Sequence, residues 1–177
     1  MPQSALVVPL PLSPSTLPNH PALQFYSTYG QNFPQTDSQR DTQEFEAFYS
    51  ADCKTILPNY KIIEGGQASW NFFRKLYAKF PKVEREILSL VVVSSDDGDG
   101  GGNKKHSIHA ELMTKLYLEG QAGEKDGRSE VVHVPQSFVY VLGKADAGKG
   151  TLGWQIRELR NYYDLRTMEG ALGEGIV

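Results

Sequence analysis

The sequence predicts an α+β fold in which three N-terminal helices pack on a strongly curved, mostly antiparallel sheet. Apolar residues recur at helical spacing up to residue 80, whereas the segments after residue 83 are rich in β-branched residues or alternate in polarity. Runs of glycine and other turn formers separate those later segments, as expected of hairpins between antiparallel strands. A curved sheet that wraps helices leaves a conical cavity between them, so we expect a cone-shaped domain.

The three predicted helices occupy the first half of the chain. The first follows Pro21, and the second begins at Thr36 or Asp37, either of which can serve as its N-cap. The third runs from Ala68 to Phe80 and is stopped by Pro81. The apolar residues that define their faces are Leu23, Tyr26 and Phe33, then Phe45, Phe48 and Tyr49, then Phe72, Phe73, Leu76, Tyr77 and Phe80.

Strands dominate the second half of the chain. A short β-rich segment from Cys53 to Ile63 precedes them and is interrupted by a Pro-Asn pair. The long strands run from Glu84 to Ser94, from Lys105 to Glu119, from Glu130 to Leu142 and from Gly153 to Leu165. Helices first and a bent meander afterwards define the α+β arrangement.

The N-terminus is a proline-rich arm. Residues 1–21 hold six of the ten prolines, which exclude helix and central strand and favour extended backbone. Apolar residues such as Leu6 and Val8 would let the arm lie along the body, so a docked and a disordered arm are both open. We therefore predict an arm (1–21), one domain (22–172) and a C-terminal tail (173–177).

Composition excludes several classes of function. The formal net charge is −3 and the basic residues are not clustered, which argues against a nucleic-acid partner and an anionic membrane surface. The single cysteine, Cys53, forms no intrachain disulfide, and no group of residues has metal-ligand spacing, so no metal and a reducing compartment are expected. No apolar run is long enough to span a bilayer and no basic residue precedes Arg40, so we predict a cytoplasmic protein.

An imidazole and a carboxylate share one face of a predicted strand. Alternation places His109 and Glu111 together, with Tyr117 further along that face, while Ile108 and Ala110 point the other way. A carboxylate beside an imidazole raises its pKa and orients its proton, so the pair is a candidate for acid-base catalysis. The alternative is a polar rim or a dimer-facing surface. Because both faces hold apolar residues, we expect the strand to be buried on both sides.

Two loops resemble ligand-binding motifs without satisfying them. Gly143 to Gly150 is close to a phosphate-binding loop, but Gly150 stands where a hydroxyl should follow Lys149, which indicates a hairpin turn. Asp96 to Asn103 resembles a calcium loop but lacks its further ligands. We therefore expect solvated turns at both places.

Three segments together resemble the SnoaL-like branch of the nuclear transport factor 2-like superfamily. They are the run from Phe48 to Asp52, the Gly65-Gly66 pair that leads into an aromatic helix ending at Phe80-Pro81, and the last strand from Trp154 to Leu165. The resemblance covers residues 22 to 172, and the Tyr-Tyr-Asp-Leu ending of the last strand is its most specific part. It implies a cone-shaped α+β domain that forms homodimers, in a superfamily that includes cyclases, isomerases, dehydratases and members without catalysis.

The resemblance also implies a set of site residues. Asp164 is the residue most characteristic of the family, and it would act as an acid-base group at the pocket mouth. The alternatives are that it caps the backbone where the strand ends or pairs with Arg160 or Arg166. By resemblance to limonene epoxide hydrolases, their catalytic aspartate falls at Asn161, which cannot act as that base, so epoxide hydrolysis is disfavoured. The predicted catalytic residues are therefore His109, Glu111 and Asp164. The predicted ligand-binding residues are Tyr49, Tyr60, Trp70, Tyr117, Phe138, Tyr140, Asn161 and Tyr163.

Two functions follow from the resemblance and the aromatic pocket that it implies. As an enzyme, the chain would be a cofactor-free isomerase, cyclase or dehydratase of secondary metabolism, acting on an apolar, oxygenated polyketide- or terpenoid-like molecule. As a non-catalytic module, it would only bind such a molecule. Neither alternative requires a cofactor, a metal, a nucleic acid or a membrane.

Overall fold

The computed structural model describes residues 3–11, 18–33, 44–96, 104–118 and 131–172. The described residues form three α-helices and a seven-stranded sheet. The strands are β1 (Gln3–Val7), β2 (Tyr49–Ile56), β3 (Ile62–Glu64), β4 (Lys82–Asp96), β5 (Lys104–Tyr117), β6 (Val131–Lys144) and β7 (Trp154–Tyr163). The helices are α1 (Pro21–Asn32), α2 (Gly66–Tyr77) and α3 (Leu165–Leu172).

The sheet confirms the predicted fold class. Its strand order is β1-β4-β5-β6-β7-β2-β3, and every neighbouring pair is antiparallel except β2 and β7. Irregularities in pairing occur in β4, where Leu88 is the extra residue between Ile87 and Ser89, and in β7, where Arg157 is the extra residue between the partners of Val141 and Leu142. Such bulges bend the strands that contain them, which favours a curved sheet. The fold is α+β, with helices on a mostly antiparallel sheet.

The described part of the arm docks on the sheet. Residues Gln3 to Val7 form the edge strand β1, with Gln3 opposite Ser95 and Val7 opposite Val91 of β4. Prolines flank this segment without interrupting it, and an edge strand needs amide donors on only one side. The arm therefore extends the sheet over residues 3–7, while the domain limits of 1–21, 22–172 and 173–177 remain predictions.

The helix predicted from Ala68 is confirmed as α2, which begins two residues earlier and ends at Tyr77. It starts after Gly65, whose φ of 95° lies in the left-handed region that favours glycine. A Cβ on Gly66 would lie 2.2 Å from the carbonyl oxygen of Ser50, so only glycine allows this approach of the helix to β2. The sequence of two glycines thus sets how closely α2 packs on the sheet.

The second predicted helix is not found in the described residues. Its start lies within residues 34–43, outside the description, and Phe45–Ala47 form only a short 3-10 helix. Tyr49, expected on that helix, instead opens β2. The carbonyl of Phe48 accepts a hydrogen bond of 2.8 Å from the amide of Ile156, so pairing with β7 takes the backbone groups that a helix would have used.

The two faces of the sheet differ in composition. One row of register partners runs across four strands through Leu90, Ala110, Phe138 and Asn161, all buried, and we call this the inner face. The opposite, outer face carries the row Ser89, Glu111, Ser137 and Tyr162. Residues of α1 and α2 join the inner face in a single hydrophobic core.

The loop that resembled a phosphate-binding loop is a hairpin turn between β6 and β7. The amide of Ala145 donates to the carbonyl of Gly153 over 2.8 Å, and the following segment continues as β7. Lys149 forms an ion pair with Glu46. The segment that resembled a calcium loop lies mostly in 97–103, outside the described residues.

Candidate functional site

The inner face and the helices that cover it enclose a cluster of aromatic side chains. The ring of Tyr29, for example, lies 5.3 Å from that of Phe48 and 5.7 Å from that of Tyr140, edge to face in both cases. The buried rings are Phe25, Tyr29, Phe33, Phe48, Tyr49, Trp70, Phe73, Tyr77, Phe80, Phe138 and Tyr140. Four predicted ligand-binding residues, Tyr49, Trp70, Phe138 and Tyr140, therefore share the interior.

Several of these rings carry hydroxyl groups that stay protonated. The hydroxyls of Tyr29 and Tyr49 are hydrogen-bonded at 2.8 Å. Burial raises the pKa of Tyr29, Tyr49 and Tyr140 well above the ordinary value, and it raises the pKa of Tyr26 to about 12. At neutral pH the interior phenols are hydrogen-bond donors and not bases.

Asn161 is a buried amide that has no hydrogen-bond partner in the part of the chain that the structure describes. It lies on the inner face of β7 opposite Phe138 and has an exposed fraction of 0%. Both its Nδ2 and its Oδ1 are buried and form no hydrogen bond with the described residues. The Nε1 of Trp70 is left in the same condition. Buried polar groups are nearly always paired, so these atoms mark the place where the interior offers hydrogen bonds to something else.

A second group of polar side chains lies further along the inner face, and its members bond to each other. Thr114 Oγ1 donates to Gln136 Oε1 over 2.6 Å, and the hydroxyl of Tyr77 lies 3.4 Å from Gln136. Tyr163, a predicted ligand-binding residue, is the register partner of Gln136 and lies on the face of Asn161. Burial raises the pKa of Tyr163 to about 12 although the side chain is only half-buried.

The interior is poor in ionised groups. The buried polar residues of the described chain are Ser50, Thr55, Ser69, His106, Thr114, Gln136, Gln155 and Asn161, none of which is a carboxylate. Within the same ranges, no group of three or more His, Cys, Asp and Glu residues could hold a metal ion. None of the described helices is long and apolar enough to cross a membrane.

The placement predicted for His109 and Glu111 is wrong. Both side chains are exposed on the outer face, because β5 directs Ile108, Ala110 and Leu112 into the core and alternation sends the odd-numbered residues outwards. The strand is therefore not buried on both sides at these positions. The catalytic hypothesis required this pair to line the interior, so we do not retain it.

Two predicted ligand-binding tyrosines also lie outside the interior. Tyr117 is on the outer face of β5, where its hydroxyl donates to Glu84 Oε2 over 2.8 Å and Lys82 lies over its ring. Tyr60 is 83% exposed in the turn between β2 and β3, with a φ of 65°. Neither side chain contributes to the aromatic cluster.

Asp164 caps a helix. Its Oδ1 accepts a hydrogen bond of 2.9 Å from the amide of Arg166, and its Oδ2 accepts one of 3.0 Å from the hydroxyl of Thr167. These bonds, with that of Thr167 the larger cause, lower the pKa of the carboxyl. The side chain is exposed at the start of α3, so the capping alternative describes it and an acid-base role inside the cone does not.

Arg85 is a charged residue on the inner face that the sequence reasoning missed. Its neighbours on the same face of β4 are Val83 and Ile87, and its register partner is the buried Thr114. A signal existed, because alternation along β4 from the apolar Val83 already places Arg85 on the inner side. The bulge after Ile87 obscured that signal, since it shifts the alternation for the rest of the strand.

Comparison with known proteins identifies the fold. No family model matches the chain, and no curated protein does. Among solved structures, a provisionally assigned SnoaL-like polyketide cyclase from Jannaschia sp. CCS1 is similar, with a TM-score of 0.53, 18% identity and coverage of 88% of this chain and 90% of that one. Its counterpart from Shewanella putrefaciens CN-32 has a TM-score of 0.53 and 17% identity, with coverage of 84% of this chain and 83% of that one. The CaMKII hub of S. rosetta has a TM-score of 0.52 and 12% identity, with coverage of 88% of this chain and 100% of that one.

Identities this low establish the architecture and nothing finer. The order of helices and strands, the mostly antiparallel sheet and the shared coverage nevertheless agree with the resemblance seen in the sequence. The chain thus has the α+β fold of the SnoaL-like and nuclear transport factor 2-like proteins.

Proposed function

We propose that this chain binds a flat, mainly apolar, oxygenated small molecule of the polyketide or terpenoid kind in its aromatic interior. The observation that carries the proposal is the unpartnered amide of Asn161, among the described residues, beside the ring of Phe138. Leaving such a group buried without a partner costs about 1–3 kcal/mol. A carbonyl or hydroxyl group of a ligand would offset that cost, while the rings pack against its flat surface.

The interior is chemically suited to holding oxygen atoms that carry partial or full negative charge. Protonated phenols, the amide of Asn161 and the indole of Trp70 all offer N–H or O–H donors. The buried residues of the described chain include no carboxylate that would act as a strong base. Recognition of a carbonyl or an enolate is therefore better supported than abstraction of a proton by the protein.

Cofactor-free cyclisation, isomerisation or dehydration is the second candidate, favoured by the names of the neighbours with the same fold. The rings would hold a flexible substrate with its reacting atoms together, which lowers the barrier through proximity. Asn161 would donate to the oxygen on which charge develops. Tyr163 is half-buried and lies on the same face, so it can pass a proton between that oxygen and solvent.

Binding is tested by isothermal titration with 1-hydroxy-2-acetonaphthone, a flat aromatic ketone. Replacing Asn161 by Leu removes both hydrogen-bonding groups and keeps the volume similar, and we expect the affinity to fall by about 5–100-fold. Asn71→Leu is the matched control, because Asn71 is an amide of α2 that bonds Gln67 at the surface. Absence of binding to the wild type, or an equal affinity of Asn161→Leu, would contradict the proposal.

Catalysis is tested separately, by following turnover of linear and cyclised polyketide analogues by absorbance. If Tyr163 relays the proton, Tyr163→Phe should lower kcat by about 10²–10⁴-fold and leave the affinity measured by titration nearly unchanged. Binding without turnover of any analogue, in the wild type as in the variant, would identify the chain as a binding module.

We also propose that two copies form a homodimer through their outer faces. Leu88 and Tyr162 are large side chains on or beside that face and are 47% and 44% exposed, which supports a covering partner. A second copy related by a two-fold axis would bury them with the row that contains Glu111. Light scattering at micromolar concentration should give twice the chain mass of 19.7 kDa, and a particle of 19.7 kDa would refute the dimer.

A further inference from the structure

Arg85 holds a guanidinium group against the aromatic interior. Its central carbon lies 4.5 Å from the ring centroid of Tyr77 and 5.0 Å from that of Phe33, and both rings are buried. Attraction between the cation and these two ring faces fixes the side chain without using the in-plane N–H groups as donors. The cation is thus positioned in advance of any binding event.

The guanidinium has no acidic partner in the part of the chain that the structure describes, where it makes neither an ion pair nor a hydrogen bond. Two other arginines differ in this respect. Arg157 pairs with Asp52 at 3.0 Å and with Asp146 at 2.9 Å, and Arg160 pairs with Glu158 at 2.6 Å. Arg85 is therefore a preorganised cation whose counter-charge is not supplied by the described protein.

The charge of Arg85 acts on the interior. It opposes the effect of burial on the pKa of Tyr26, Tyr29 and Tyr140, which burial alone would raise further. The register adds that Arg85 faces the same side of the sheet as Thr114 and, one row further along, Gln136. A negative group on a ligand would thus meet a cation and hydrogen-bond donors, with no buried carboxylate of the described residues to repel it.

We propose that Arg85 is the subsite for the carboxylate of an aromatic or polyketide-like acid whose apolar body packs against the interior rings. This inference rests on the proposed binding function and adds the charge of the ligand to it. A guanidinium can grip a carboxylate with two parallel N–H···O bonds, a geometry that an ammonium group cannot reproduce.

The test compares two probes of equal shape, 2-naphthoate and the uncharged 2-naphthamide, by isothermal titration at neutral pH. The wild type should bind naphthoate more tightly than naphthamide. Arg85→Gln should lower the affinity for naphthoate by about 10–100-fold and leave the affinity for naphthamide unchanged. Arg85→Lys keeps the charge but not the fork and should recover only part of the affinity. Arg160→Gln removes a surface arginine and serves as the control, with no expected change for either probe.

The outcomes separate this inference from the function on which it rests. Equal affinities of the wild type for both probes would overturn the carboxylate subsite and leave the binding function intact. An equal loss of affinity for both probes in Arg85→Gln would mean that Arg85 acts through packing, and it would also overturn the carboxylate subsite. Failure of either probe to bind the wild type would refute both proposals for this ligand class. Should Arg85→Gln not fold, Arg85→Lys replaces it in the comparison. An affinity for naphthoate below that of the wild type would then support the forked carboxylate contact, and an affinity equal to that of the wild type would overturn it.

Discussion

The two ends of β7 each hold a buried side-chain amide, and the two amides differ in their hydrogen bonding. Near its start, Gln155 is 0% exposed, and its Nε2 donates to the carbonyls of Glu46 at 2.7 Å and Tyr49 at 3.1 Å. Its Oε1 accepts from the amide of Asp146 at 2.9 Å. Six residues later, Asn161 is equally buried and has no hydrogen-bond partner among the described residues.

The difference separates a structural amide from a candidate binding group. Gln155 ties the hairpin turn before β7 to the segment that enters β2, so its bonds hold three parts of the backbone together. Asn161 holds nothing together that the described structure shows, yet it keeps the desolvation cost of a buried amide. Stability explains the presence of Gln155, whereas the proposed ligand binding would explain that of Asn161.

The largest expected effect is on the structural amide. Gln155→Leu would remove three hydrogen bonds, those to the carbonyls of Glu46 and Tyr49 and that from the amide of Asp146, and we expect the free energy of unfolding to fall by about 3 kcal/mol. Urea denaturation measures this directly. Gln24→Leu is the control, since Gln24 bonds Asn19 at the surface and should change stability by less than about 0.5 kcal/mol. Similar stabilities of both variants would remove the distinction between the two amides.

The opposite sign is expected at Asn161. Asn161→Leu replaces an amide that has no partner among the described residues by an apolar side chain of similar size. The free energy of unfolding without ligand should therefore rise by about 1–3 kcal/mol. The same denaturation experiment checks the sign. A loss of stability comparable to that of Gln155→Leu would mean that Asn161 has a structural partner after all.

A smaller effect concerns how stability depends on pH through the hydrogen bonds that join His20, Ser94 and His106. His20 Nδ1 accepts from the amide of Ala22, which leaves His20 Nε2 to donate to Ser94 Oγ at 3.2 Å, and Ser94 can then donate to His106 Nδ1 at 2.8 Å. This chain of bonds needs both imidazoles neutral. Burial, followed by the positive charge of Lys104, lowers the pKa of His20, and burial is also the larger cause of the lowered pKa of His106.

The sign of the pH dependence follows from these two shifts. Because both pKa values are lower in the folded state, the unfolded chain binds more protons below its own histidine pKa of about 6.5, and stability falls as the pH drops through that value. Unfolding in urea at about pH 7.5 and pH 5.5 should show this loss. His106→Asn, which keeps an acceptor for Ser94, should show less of it, whereas the exposed His133→Asn should behave like the wild type. Equal losses in all three proteins would refute the histidine network.

The sequence predicted the periodic features of the fold well. Helix α2 and the long strands followed from spacing, and alternation correctly separated Ile108 and Ala110 from His109 and Glu111. Alternation does not show which of two faces turns inward when both carry apolar residues. In β5 the face of His109 and Glu111 turns outward, which removes the predicted catalytic pair from the interior. The inward placement of Asn161 came from the family resemblance, not from periodicity.

Other features depend on long-range contacts that leave little trace in local sequence. Tyr49 lies in a strand because β7, more than one hundred residues later, pairs with it in parallel. For Asp164 the sequence allows both catalysis and capping, and only the positions of Arg166 and Thr167 decide in favour of capping. The unpaired state of Arg85 depends on where every acidic residue of the described chain lies, which no motif encodes.

The side-chain amide signals of Gln155 and Asn161 in a nitrogen-proton correlation spectrum test the comparison most directly. Titration with 1-hydroxy-2-acetonaphthone should shift the Nδ2 resonances of Asn161 progressively to saturation, because a ligand oxygen becomes their acceptor. The Nε2 resonances of Gln155 should stay in place, because their acceptors belong to the protein. Stationary Asn161 signals at saturating ligand, or shifts confined to Gln155, would contradict the assignment of Asn161 to ligand binding.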